Sequence, residues 1–123
     1  MKYLCLVYDD EAKLNALSRS EWGELRDETL AYVDGMRKSG HLVSTHALQS
    51  ARTAATVRIR NGQLSVTDGP FAETKEQLGG FFLIDARDLN EAIQVASQWP
   101  SARIGNIEVR PVEEVLGEER RYR

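Results

Sequence analysis

Residues 68–81 read DGPFAETKEQLGGF, and they join two hydrophobic segments of the chain. An aspartate that opens a turn usually accepts the amide two residues along, but that position after Asp68 is Pro70, which has no amide hydrogen. Thr74 and Gln77 fit the spacing of a helical capping box. The stretch therefore predicts a short helical turn or an ordered loop.

Gly79-Gly80 marks the end of this loop, where we expect either a positive φ or a close backbone approach. The loop itself has two interpretations: a solvated connector, or an ordered functional segment. In the functional interpretation its charged and aromatic side chains are ligand-binding candidates, and in the structural one they form a salt-bridged network. These candidates are Asp68, Phe71, Glu73, Lys75 and Glu76.

The residues before the loop begin with a strand and a long helix. Tyr3–Tyr8 is apolar on both faces and predicts a buried strand. A polar segment follows, and then Ser18 and Glu21 form a capping-box pattern that opens a helix. The helix is predicted to end at Lys38-Ser39-Gly40, because glycine is the usual C-terminal stop signal. Its aromatic residue Trp22 is predicted to lie in the core or at an interface.

A second strand and a hairpin complete this half. Leu42–Leu48 predicts the strand, with His46 near its end. Asn61-Gly62 lies between the alternating segments 54–60 and 63–67, which is a strong hairpin signal. We expect this hairpin to extend the edge of the main sheet.

The residues after the loop predict a strand, a helix and a final strand. Phe81–Asp85 is again apolar on both faces. Asp88 caps a helix with an apolar face formed by Leu89, Ala92, Ile93 and Ala96, and Trp99-Pro100 ends it. Ile104–Val112 is the last strand, with Glu108 and Arg110 on one face.

The order of elements predicts an α+β fold, the ferredoxin-like β-α-β-β-α-β pattern with an inserted β-hairpin. Two helices cover only one face of such a sheet, yet two of its strands are apolar on both faces. The other face therefore needs an apolar cover, most simply a second copy, which predicts a homodimer. The 123 residues fit one domain, with a frayed tail at about 117–123.

Composition excludes several classes of protein. The net charge is −3 without a basic block in the body of the chain, which argues against nucleic acid binding. No apolar stretch is long enough to span a bilayer and no signal-peptide pattern is present. The single cysteine, Cys5, lies in the first strand, is predicted to be a core residue, and suits a reducing cytoplasm. Two histidines and one cysteine do not make a zinc set, so we predict no metal and no cofactor.

Residues 68–81 resemble the signature of the YCII-related domain family, in its DGPF-type branch. The resemblance extends over nearly the whole chain. The other segments that carry it are Ala54–Arg58, Phe82–Ile84, Asp88–Ala92 and Glu108–Val112. It implies a dimeric α/β barrel made of two ferredoxin-like halves, but no settled activity.

A dimer of this kind encloses a cleft between its sheets. Arg110 and the loop would border the cleft, and His46 is a further candidate if it faces it. The first functional hypothesis is a protein that binds a small polar or anionic molecule there. The alternative is an isomerase or lyase in which a loop carboxylate moves a proton, since the resemblance extends to muconolactone-isomerase-like and dehydrochlorinase-like proteins. A third hypothesis, also from the resemblance, is an accessory partner of an extracytoplasmic-function sigma factor.

The sequence does not identify catalytic residues. The resemblance includes YCII relatives that carry a His-Asp dyad. Its histidine is on the first helix, and its aspartate lies just before the proline after the second helix. Here the first helix has no histidine, and Trp99 precedes Pro100. That chemistry is therefore not carried over to this chain, and a purely structural module also stays open.

Overall fold

The computed structural model describes residues 1–115 and residue 122. The predicted frayed tail, about residues 117–123, lies outside the described residues apart from Tyr122. The helices and strands are β1 (Lys2–Asp9), α1 (Glu11–Asn15), α2 (Arg19–Ser39), β2 (Leu42–Ala47), β3 (Ala55–Arg60), β4 (Gln63–Asp68), β5 (Gln77–Asp85), α3 (Leu89–Ser97) and β6 (Asn106–Pro111). Short 3₁₀ turns occur at Ala51–Thr53 and Pro100–Arg103.

Four strands form the main sheet in the order β2-β5-β1-β6, and all neighbouring pairs are antiparallel. This is the predicted ferredoxin-like arrangement, which is thereby confirmed. Alternate residues of β1 and β5 point into a core beneath α2 and α3. The core includes Tyr3, Cys5, Val7, Phe82, Ile84, Met36, Ala92, Val95, Ala96 and Trp99.

The predicted helix starts and stops are confirmed by the hydrogen bonds. Ser18 Oγ accepts from the Glu21 amide at 3.0 Å, and the Glu21 carboxylate accepts from the Ser18 amide at 2.8 Å. Gly40 ends α2 with φ 83°, a left-handed conformation that glycine adopts without strain. Asp88 caps α3 by accepting from the Glu91 amide at 2.9 Å. These signals predicted the helix ends correctly because each acts within four consecutive residues.

The predicted buried face of α3 is partly wrong. Leu89 and Ile93 are 45% and 48% exposed, while Ala92, Val95 and Ala96 are buried. Small residues face the sheet because they let the helix backbone approach β1 and β6 closely. Trp22 is predicted to lie in the core or at an interface. The core location is wrong, since this side chain is 47% exposed.

The hairpin prediction holds for its turn but not for its position. Asn61 and Gly62 have φ of 52° and 75°, as a two-residue hairpin turn requires. However, β3 and β4 pair only with each other and form a separate two-stranded sheet. The chain leaves the edge of the main sheet at Ser50, where Glu11 anchors it. Glu11 Oε1 accepts from Ser50 Oγ at 2.6 Å, and Glu11 Oε2 accepts from the Ala51 amide at 2.9 Å.

The central loop is ordered but not helical. The capping box of Thr74 and Gln77 does not form, because β5 begins at Gln77, four residues before the predicted Phe81. The Gln77 side chain instead donates from Nε2 to the carbonyls of Ala72 and Thr74, both at 3.1 Å. Gly69, with φ 94°, donates its amide to the Ala54 carbonyl at 2.7 Å and ties the loop to the base of the hairpin.

The second face of the main sheet has no helix over it within the described part of the chain. Leu4, Leu6 and Leu83 lie on this face and are half-buried. The register pairs Leu4 with Arg110 and Leu6 with Glu108, so these two charges share the face as predicted, and they form an ion pair. We call this surface the open face of the sheet. In addition, no helix of the described residues is long and apolar enough to cross a membrane.

Candidate ligand-binding site

A cavity of about 1010 Å³ lies between α1 and α2 on one side and the ends of β1, β2 and β5 on the other. We call it the α2 cavity. Its volume matches that of sites for small ligands. Its apolar wall includes Leu14, Leu17, Trp22, Leu25 and Val33. The exposed Trp22 ring thus lines a cavity instead of packing into the core.

Helix α2 contributes three guanidinium groups to this cavity. Arg26 is paired with the neighbouring Asp27 at 3.3 Å. Arg19 and Arg37 form no ion pair with any other described residue. An unpaired guanidinium offers up to five donors to a carboxylate or another planar anion. The α2 cavity therefore combines an apolar wall with cations that are available to a ligand.

Asp9 brings a carboxylate to the other side of the cavity. It ends β1, the strand that lies between β5 and β6, and its side chain lies between Gly79 and Gly105. A Cβ atom on Gly79 would stand 2.5 Å from Asp9 Oδ2, and one on Gly105 would stand 3.1 Å from Asp9 Oδ1. The carboxylate therefore occupies space that any other residue at those two positions would fill.

The Asp9 carboxylate is unusual in its electrostatics as well. Its Oδ1 is buried and has no hydrogen-bond partner among the residues that the structure describes. Burial raises the pKa of Asp9, and the nearby negative charges of Glu76 and Glu11 raise it further. The protonated form is thus favoured here more than at an ordinary surface aspartate.

Glu11, in the same cavity, behaves in the opposite way. The hydrogen bonds from Ser50 Oγ and the Ala51 amide, with the charge of Arg52, lower the pKa of Glu11. One carboxylate is therefore held ionised while its neighbour Asp9 is pushed toward the neutral form. Pairs of carboxyl groups whose environments separate their pKa values are typical of acid–base sites.

A second cavity, of about 810 Å³, lies between the central loop and the base of the hairpin. We call it the loop cavity. Phe71 and Glu76 line it, and it shares Gln77 and Leu78 with the α2 cavity. The Glu76 carboxylate accepts from the Asn106 side-chain amide. Glu76 therefore belongs to the loop cavity while its charge acts on Asp9.

The structure separates the seven candidates that the sequence suggested. Phe71, 81% exposed, and Glu76 border the loop cavity. His46 borders the α2 cavity, but the register pairs it with Phe81 and Phe81 with Leu6, so its ring lies on the open face, 5.7 Å from that of Phe81 between centroids. Arg110 is paired with Glu108 on the open face.

The remaining three candidates are Asp68, Glu73 and Lys75. They are exposed and line neither the α2 cavity nor the loop cavity. Their side chains make no hydrogen bond or ion pair within the described ranges, 1–115 and 122. No ion pair thus joins the loop charges to one another or to Arg110.

Asp9, Arg19 and Arg37 were missed by sequence reasoning. Asp9 directly follows the predicted buried strand Tyr3–Tyr8, and an acid at such a position is a signal of its own. The described part of the chain contains no group of three or more metal-ligating side chains.

Comparisons with known proteins agree with this fold. The model of the YCII-related domain matches residues 1–116. An uncharacterized protein of Rhizobium meliloti (strain 1021) is 40% identical over 114 residues, which cover 91% of this chain and 92% of that protein. Among solved structures, the chain is similar to 5-chloro-2-hydroxyhydroquinone dehydrochlorinase of Burkholderia phenoliruptrix AC1100, in complex with 2,5-dihydroxybenzoquinone. The TM-score is 0.57 at 14% identity, over 92% of this chain and 94% of that one.

Proposed function

The chain belongs to the YCII-related domain family, and from that premise we propose that it binds a small anionic ring compound in the α2 cavity. The observation that carries this proposal is the combination, in one cavity, of the apolar wall around Trp22 with the unpaired Arg19 and Arg37. An apolar wall accepts the ring, and a guanidinium group holds an anionic substituent by charge-assisted hydrogen bonds.

A fold relative guides the choice of a probe. The dehydrochlorinase of Burkholderia phenoliruptrix AC1100 has this fold and was solved with 2,5-dihydroxybenzoquinone, a small planar ring with acidic hydroxyl groups. At 14% identity the likeness supports the fold alone. The ligand is therefore a probe that suits the chemistry of the cavity, and its use does not assign a substrate.

We further propose that the working form is a cytoplasmic homodimer joined through the open face of the sheet. The half-buried Leu4, Leu6 and Leu83 support a sheet-to-sheet contact, because monomers rarely leave a contiguous apolar strip uncovered. An isologous contact would cover the same strip on both copies. The buried free thiol of Cys5 fits a reducing compartment.

The binding proposal is tested by calorimetric titration with 2,5-dihydroxybenzoquinone. We expect Arg19→Gln combined with Arg37→Gln to weaken binding by tenfold or more: the two groups lie far apart along α2, so the ring bonds one of them, and one lost charge-assisted hydrogen bond is worth about 1.5–3 kcal/mol. Arg58→Gln is the matched control, since Arg58 is exposed on β3 and lines neither the α2 cavity nor the loop cavity. Equal affinities of the double variant and the wild type would contradict the proposal.

A further inference from the structure

Resting on this proposed function, we propose that Asp9 is a proton-transfer residue that acts on small ring compounds bearing an enol group in the α2 cavity. Asp9 would be the reacting group, and the bound compound its substrate. It also moves the proton chemistry from the central loop to the end of β1.

The position of Asp9 is built by three strands. Its carboxylate lies between β5 and the segment before β6, at the two places where glycines remove the side chains that would displace it. Gly79 is also where the pairing of β1 with β5 shifts register, between Val7 and Tyr8. Bulges of this kind often re-aim a side chain next to an active site. The carboxyl group is thus held in place by packing on both sides.

The surroundings of Oδ1 favour a protonated carboxyl group. A Cβ on Gly105 would stand 2.5 Å from the Tyr8 carbonyl oxygen and 3.3 Å from that of Ser101, as well as 3.1 Å from Asp9 Oδ1. The two backbone atoms nearest this point are carbonyl oxygens, which are acceptors, and no donor reaches Oδ1 from a described residue. A carboxylate would leave charge on the buried Oδ1 without a donor, so the neutral carboxyl group, with its hydrogen on Oδ2, is favoured.

The charged groups around Asp9 act in the same direction. Glu11 approaches from α1 and Glu76 from the end of the central loop, and both negative charges disfavour a carboxylate at Asp9. The arginines of α2 line the same cavity, whereas the ring of His46 on β2 points to the open face. Asp9 is therefore close to two negative charges, and the positive charges lie on α2, which forms the other wall of the cavity.

The proposed step conserves atoms and charge. Neutral Asp9 delivers its proton to a ring carbon next to the enolate oxygen of the bound compound: the carboxyl O–H bond breaks, and a C–H bond forms as the enolate becomes a ketone. The resulting carboxylate, beside Glu11 and Glu76, takes one of the two hydrogens back from that carbon and restores the enolate. Because Oδ1 is buried, Oδ2 is the oxygen that gives the proton to the bound compound and takes it back.

The test follows hydrogen–deuterium exchange at the ring carbons of 2,5-dihydroxybenzoquinone. In D₂O, the loss of the ring C–H signal in proton NMR reports the exchange rate, and calorimetry on the same samples reports binding. We expect wild-type protein to accelerate exchange and Asp9→Asn to lower the protein-dependent rate by about 100-fold or more, as for general acid–base groups. Asp68→Asn is the control, since Asp68 lines neither cavity, and it should match the wild type.

The outcomes separate the two proposals. Binding by both proteins with exchange lost only in Asp9→Asn supports the inference. Binding without accelerated exchange, or equal exchange in Asp9→Asn, overturns the inference and leaves the binding proposal standing. If wild-type protein fails to bind the probe, both are overturned. A urea melt of Asp9→Asn shows that the variant is folded, so that a lost rate is not a lost fold.

Discussion

The Asp9 carboxylate fills the space that a side chain on Gly79 would need, since a Cβ there would stand 2.5 Å from Asp9 Oδ2. The same carboxyl group leaves Oδ1 buried without a hydrogen-bond partner in the described part of the chain. An isolated domain gains no stability from a buried, unsatisfied carboxylate. The burial that suits Asp9 to the proposed proton transfer therefore lowers the stability of the folded protein.

We expect Asp9→Asn to raise the free energy of unfolding at neutral pH. The pKa of Asp9 is raised in the folded protein by burial and then by Glu76 and Glu11, so the folded state binds this proton more tightly than the unfolded chain. Wild-type stability must therefore fall as the pH rises from the unfolded value of about 3.9 through the folded pKa. Asparagine carries no such charge and removes this loss.

Urea unfolding of both proteins between pH 4 and pH 8 checks this sign. The advantage of Asp9→Asn should be smallest at pH 4, grow as the pH rises, and level off above the folded pKa. A difference that is constant over the whole range would show that Asp9 titrates normally.

Gly80 is expected to tolerate no larger residue. It has no positive φ, but a Cβ there would stand 2.9 Å from the His46 carbonyl oxygen and 3.3 Å from Ala47 Cα, both in the backbone of β2. Gly80→Val should therefore lower the free energy of unfolding by about 1–3 kcal/mol, because the strand pair must shift to accept it. Gly35→Ala is the control: nothing lies within 4 Å of its Cβ position in α2. It should stabilise by up to about 1 kcal/mol, and a neutral Gly80→Val would mean that β2 yields easily.

Cys5 is expected to be unreactive in the folded protein. It is fully buried, and burial raises the pKa of its thiol to about 12. Since the thiolate is the reactive form, labelling by a disulfide reagent at pH 8 should require unfolding. Labelling rates measured across a urea series should rise with the unfolded fraction. Fast labelling without urea would show that the first strand opens locally.

Glu73 is expected to be dispensable for both stability and binding. Its side chain is exposed, makes no ion pair within the described residues, and lines neither the α2 cavity nor the loop cavity. Glu73→Gln should change the free energy of unfolding by less than about 0.5 kcal/mol. Its affinity for 2,5-dihydroxybenzoquinone in calorimetry should equal that of the wild type. A tenfold weaker affinity would return Glu73 to the site and favour the functional interpretation of the loop.

The homodimer is expected to depend on the open face of the sheet. Wild-type protein at micromolar concentration should sediment as a dimer, and Leu6→Glu should sediment as a monomer because it places a charge in the apolar strip. Ala31→Glu, on the exposed side of α2, is the control and should leave the dimer intact. A wild-type protein that is monomeric under these conditions would contradict the proposal.

Local signals in the sequence were enough for most elements of the fold. Ser18 and Glu21 start α2, Gly40 ends it, and Asn61-Gly62 turns the hairpin, because each signal acts through backbone bonds among a few adjacent residues. The apolar runs of β1 and β5 then required both faces of the sheet to be covered. Strand order followed from the order of elements.

The candidate site was beyond this kind of reasoning. The sequence by itself determined the elements, their order and the buried Cys5, and it left two alternatives for Gly80, of which the structure shows the close backbone approach. Only the tertiary structure placed the hairpin away from the sheet edge, through Glu11 and Ser50, and set Asp9 between Gly79 and Gly105. These contacts join segments that are far apart in the chain, and no periodicity or turn signal records them. The environment of Asp9, from which its raised pKa follows, exists only once the three strands have come together.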